Sequence, residues 1–141
     1  MNCFEAFIIR FSTQKLINWD RMGNLVSWLC LIHCTVLPWL AFILPLSFLL
    51  DDSVHLWLFV ALFPAAVFGA WSGWLHHGNG RPSLLLAIGL ALVGCATFIP
   101  MSAAAEIALT IPGSLFLITG HTLNRRLQRI AHIAGARATS A

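Results

Sequence analysis

The chain is 141 residues long, 59% apolar and only 9% charged, with a formal charge of +3. A soluble domain carries about 25% charged residues, so this composition excludes an ordinary soluble fold and defines a membrane protein of one domain. No block of like charge is long enough to hold nucleic acid.

In chain order, residues 1–18 place Phe4, Phe7, Ile8 and Phe11 on one helical stripe, with Arg10, Gln14 and Lys15 off it. This predicts a short amphipathic helix lying on the membrane surface, and no A-x-A-like cleavage site suggests a signal peptide instead. Four apolar blocks follow, at about 22–50, 55–75, 83–99 and 104–123. About 20 apolar residues cross a bilayer, so the expected fold is an all-α, four-helix transmembrane bundle spanning residues 19–127. A basic tail occupies 128–141.

Orientation follows from Lys and Arg. Arg10, Lys15 and Arg21 precede the first block, Arg81 separates the second from the third, and Arg125, Arg126, Arg129 and Arg137 follow the fourth. Four spans put all of these on one side and Asp51, Asp52 and Glu106 on the other, so both termini are expected in the cytoplasm. Trp19, Trp71 and Trp74 then fall near the inner interface and Trp57 near the outer one, while Trp28 and Trp39 are expected to fill helix contacts.

Small and polar residues should face other helices. The expected interior stripes are Asp20, Gly23, Ser27, Cys30 and Cys34 in span 1, and Leu62, Ala66, Gly69, Gly73 and His76 in span 2. Span 3 has a weaker stripe through Gly89, Leu92 and Ala96; span 4 has Glu106, Thr110, Gly113, Leu117, Gly120 and Asn124. Gly69 and Gly73 read as a small-x-x-x-small helix contact. Pro38, Pro45, Pro64 and Pro112 fall inside the spans and read as tolerated bends.

The chemistry concentrates in Cys30-Leu31-Ile32-His33-Cys34. Positions i, i+3 and i+4 share a helix face, so two thiols and an imidazole project together. Thiolate suits soft ions and imidazole suits Zn and Cu. Cys30 lies about ten residues into its helix, about 15 Å, near the bilayer midplane, and Cys95 at similar depth on span 3 is a candidate fourth ligand. Buried cysteines also serve as plain packing, but an ionisable His33 inside the membrane argues for function. His55 and Glu106, with Asp51, are candidates for an outer cation vestibule. His121 with Asn124, near Asp20, is a candidate inner exit site; structural capping and hydrogen bonding account for these two equally well. His76 and His77 read as solvated residues of the inner turn. No cofactor is expected, and no motif suggests an enzyme.

Asp20-Arg21-Met22-Gly23, Ser27, Cys30-x-x-His33-Cys34 and Pro38 resemble the first helix of the MerC family of mercury-resistance membrane proteins. His55-Leu56-Trp57-Leu58, the histidine ending span 2, Glu106 and Gly120-His121-x-x-Asn124-Arg125 extend the resemblance over about residues 19–127. The resemblance implies a bacterial inner-membrane carrier taking Hg(II) into the cytoplasm, with Cys30 and Cys34 as the exchanging thiols. It implies the lipid bilayer and the ion as partners, and leaves a cytoplasmic metal acceptor and a homo-oligomer open. Mercury-operon members carry further cysteines in the tail; none follows Asn124 here. Zn or Cu handling, and a haem-binding or accessory four-helix subunit, stand as alternatives.

Overall fold

A computed structural model describes residues 19–36 and 52–138. The described residues form four helices and no strand: α1 (19–36), α2 (Asp52–His77), α3 (Gly80–Phe98) and α4 (Ala103–Ala138). The expected surface helix over 1–18, Trp39, Pro38, Pro45 and the second half of the first span lie outside the described residues. Ser53–His77, Gly80–Phe98 and Ala103–Ala136 are each long and apolar enough to cross a membrane, and only 22%, 28% and 28% of their most apolar windows is buried inside the protein. Most of each helix therefore presents apolar side chains outward, the arrangement expected when lipid is the solvent.

The helices run up and down. Gly78 ends α2 in the left-handed region (φ +63) and its N–H bonds to the carbonyl of Trp74 at 3.0 Å, the usual glycine stop of a helix. Asn79 then caps α3 by accepting from the Arg81 N–H at 3.0 Å. So the stretch read as a polar turn, His-His-Gly-Asn-Gly-Arg-Pro, is a two-residue hinge between antiparallel helices. α4 continues well past Asn124, where the fourth span was expected to close. Its 36 residues extend about 54 Å, beyond a hydrocarbon core of about 30 Å. No proline interrupts it after Pro112, and arginine is a good helix former, so the tail stays helical to Ala138.

The core is a small apolar layer of Val26, Leu62, Ala66, Leu86, Val93 and Leu117. The four interior stripes are buried almost as expected, and α3 turns in Pro82, Leu86, Gly89, Val93 and Ala96. Two expectations are corrected. Trp28 is 51% exposed and stands beside Leu25, Leu29 and Ile32 on the outward face, because it sits off the Ser27–Cys30 stripe. His76 is exposed, and its neighbour His77 turns inward instead.

Candidate metal site and the polar network opposite it

α1 brings Cys30 and Cys34 to the bundle interior one helical turn apart, with His33 between them; all three are buried. The Cys34 thiol is in contact with the side chains of Cys30, His33 and His55, and Cys30 also reaches Ser114 on α4. Cys34 Sγ lies 3.7 Å from His55 Nε2. The His33 and His55 rings meet edge to face, with centroids 4.7 Å apart. One ligand atom each from His33, Cys34 and His55 falls within 4.8 Å of the others, the sole such group among the described residues. This gathers soft and borderline donors from two helices, a set that fits a thiophilic divalent ion.

His55 does two things at once. Its Nε2 faces the thiol, while its Nδ1 lies 3.1 Å from Glu106 Oε1 on α4. The Nδ1–H is not aimed squarely at that oxygen, so the contact is one of charge more than of alignment. A carboxylate behind one nitrogen, leaving the other for an ion, is the usual second layer of a histidine ligand. Glu106 thus reaches the site through His55. Cys95 is exposed on α3 and stands apart from the group. Asp51 lies outside the described residues.

The rings of His33 and His55 touch directly, leaving no room for a macrocycle between them, and His121 lies at the other end of the bundle. The pairings that a haem would need are therefore absent among the described residues.

At that opposite end, His121 and Asp20 are fully buried and paired, the His121 Nδ1–H donating to Asp20 Oδ1 at 2.8 Å. Asn124 Nδ2 donates to Asp20 Oδ2 and to the Gly69 carbonyl, each at 2.8 Å. Gln128 Nε2 adds a longer bond to Asp20 Oδ2 at 3.4 Å and one to Ser72 Oγ at 3.1 Å. The Asn79 N–H donates to His77 Nδ1, so His77 Nε2 carries the proton and donates to Asn124 Oδ1 at 2.8 Å. His77, read as solvated, is a partner in this network. The glycines of α1 and α2 make room for it. A Cβ on Gly23 would strike the His121 ring, one on Gly69 would come within 2.7 Å of Asp20 Oδ1, and one on Gly73 would strike Asn124. Gly69 and Gly73 therefore clear space for polar side chains of α1 and α4, a different role from the plain helix contact expected of them.

Sequence reasoning missed Ser114, Gln128 and His77. Ser114 stands four residues after Thr110 and Gln128 four after Asn124, so continuing the α4 stripe would have found both. His77 could not be told from His76 without knowing where α2 turns.

Four antiparallel helices, three of them fit to cross a bilayer, with thiols and imidazoles turned inward, define a multi-pass membrane protein with an internal soft-donor site. The chain belongs to the MerC mercury resistance protein family, whose model matches residues 20–126. No curated protein and no solved structure matches it significantly.

Proposed function

We propose that the protein is a membrane carrier for a soft divalent metal ion, with Hg(II) uptake into the cytoplasm as the first assignment. The convergence of His33, Cys34 and His55 within 4.8 Å, backed by the second thiol of Cys30, carries the reading. The family membership directs it to mercury.

In this reading both ends of the chain face the cytoplasm of a bacterial cell, the protein sitting in the inner membrane. Arg21, Arg81, Arg125 and Arg126 support this orientation, since all neighbour the Asp20–His121 end in sequence. The His55–Glu106 end then faces outward. An ion arrives beside His55 and Glu106 and passes to Cys34 and Cys30. Two thiolates neutralise a divalent charge where the surrounding dielectric is low, and ligand exchange lets the ion move on without redox chemistry. It leaves past the inner end, toward a cytoplasmic acceptor. Zn or Cu remains the alternative cargo, because the donor set also suits them.

The test is uptake by vesicles containing the purified full chain, with Hg, Zn, Cd and Cu ions supplied outside and a thiol trap inside. Wild type is expected to accumulate Hg(II), and Cys30→Ser/Cys34→Ser to fall to the level of empty vesicles. Wild-type uptake no greater than that of empty vesicles would leave a scaffold or accessory role, and equal uptake above that level by the two proteins would take the thiols out of the path.

A further inference from the structure

A cavity of about 300 Å³ opens beside the thiol site. Its walls are His55 from α2, Thr97 and Phe98 at the end of α3, Met101 in the connection between α3 and α4, and Glu106 in the first turn of α4. His55 and Glu106 make part of its wall polar, and Met101 brings the thioether-bearing side chain to it. His55 is the wall it shares with the thiols: Nδ1 lies 3.1 Å from Glu106 and Nε2 lies 3.7 Å from Cys34 Sγ.

We propose that this cavity is a receptor chamber that admits the soft ion with small ligands still attached, and that the Met101 thioether is its first soft donor. The proposal rests on the carrier reading above and adds the form in which cargo enters. Two features argue for it. First, a bare divalent ion needs far less space than this chamber provides. It opens on one side, and its volume equals that of roughly ten waters at about 30 Å³ each, so a metal dihalide or a complex with a single-amino-acid thiol sits within its walls while two tripeptide thiols overhang its mouth. Second, thioether sulfur selects soft ions and holds them weakly, which suits a donor that must pass its ion on. Met101 is half-buried in the four-residue connection between α3 and α4 and forms part of the wall.

Transfer is then ordinary substitution. Cys34 sulfur forms a bond to the metal as the bond to one original ligand breaks, the thiol proton leaves with that ligand as its conjugate acid, and the Met101 thioether releases the metal as a neutral group. Cys30 repeats the step and displaces the second ligand. The metal keeps its oxidation state throughout.

Stopped-flow loading of the purified full chain tests this, reading the thiolate-to-mercury charge-transfer absorbance. Hg(II) is supplied as the dichloride, as the bis-cysteine complex or as the bis-glutathione complex; the last two share thiolate chemistry and differ in bulk. Bis-cysteine is expected to load at least about tenfold faster than bis-glutathione, and Met101→Leu, which keeps the volume and removes the sulfur, to slow dichloride loading about three- to tenfold with the final absorbance unchanged. Thr97→Trp, which fills the chamber, is expected to slow bis-cysteine loading to the bis-glutathione rate. Equal rates for the two thiol complexes, together with a wild-type rate in Met101→Leu, overturn the chamber and leave the thiol site standing. Absence of the absorbance band with every complex overturns the carrier reading as well.

Discussion

Asp20 is a carboxylate with no measurable exposure, surrounded by donors from α4. A lone buried charge is expensive, and its tolerance here depends on all of those donors being aimed at one acceptor. Asp20→Ala strands the His121 Nδ1–H and leaves Asn124 and Gln128 short of an acceptor in the same step. A single interhelical hydrogen bond in a membrane protein contributes about 0.6 kcal/mol, but several donors lost at once should cost about 2–4 kcal/mol. Reversible unfolding in mixed detergent micelles measures this, with Asp20→Asn expected to fall between Ala and wild type. A loss no larger than that of an exposed substitution such as Arg129→Ala would contradict it. The same scale governs the candidate metal site. His55 sets one nitrogen against Cys34 and the other in ion-pair contact with Glu106, so Glu106→Gln should weaken ion affinity about tenfold or more without removing a thiol. Competition titration against a soluble dithiol chelator reads that shift, and an unchanged affinity would separate Glu106 from the site.

At the scale of elements, the glycines divide into two sets. Gly89 and Gly113 let α3 and α4 approach backbone to backbone: a Cβ on Gly89 would meet the Gly113 carbonyl oxygen at 2.7 Å and the Leu117 nitrogen at 2.9 Å. Neither atom can move without moving a helix, so Gly89→Ala should destabilise by about 1–3 kcal/mol. Gly135, late in α4, has nothing within 4 Å of its would-be Cβ. Gly135→Ala should be neutral or stabilise by up to about 1 kcal/mol through helix propensity. Thermal denaturation of the pair in detergent compares them directly, and a Gly89→Ala protein as stable as Gly135→Ala would sink the packing argument. The stripe through Gly89 was legible in the sequence because small residues recur at helical spacing. The reason for Gly69 and Gly73 was not, since it depends on which side chains of other helices arrive opposite them.

For the whole molecule, hydropathy and the spacing of small residues revealed the helices and most of their inward faces, because both are local properties of one helix. Cys30, His33 and Cys34 were legible for the same reason. The order of the spans already set His55 near Glu106 at one end and His121 with Asn124 near Asp20 at the other. That His55 also closes on Cys34, 21 positions away, depends on how α1 and α2 pack, which no local pattern shows. Met101 carried no signal at all, since a methionine in a short connection is unremarkable until a cavity forms around it. The proposed function requires a soft ion held between the thiols of Cys30 and Cys34 inside the bundle. Titration of the purified chain with Hg(II), read by the thiolate-to-mercury charge-transfer band, tests that most directly. It should saturate at a single ion per chain in wild type and show no band in Cys30→Ser/Cys34→Ser, with Cys95→Ser unchanged. A band that survives the double substitution, or that vanishes with Cys95→Ser alone, would contradict it.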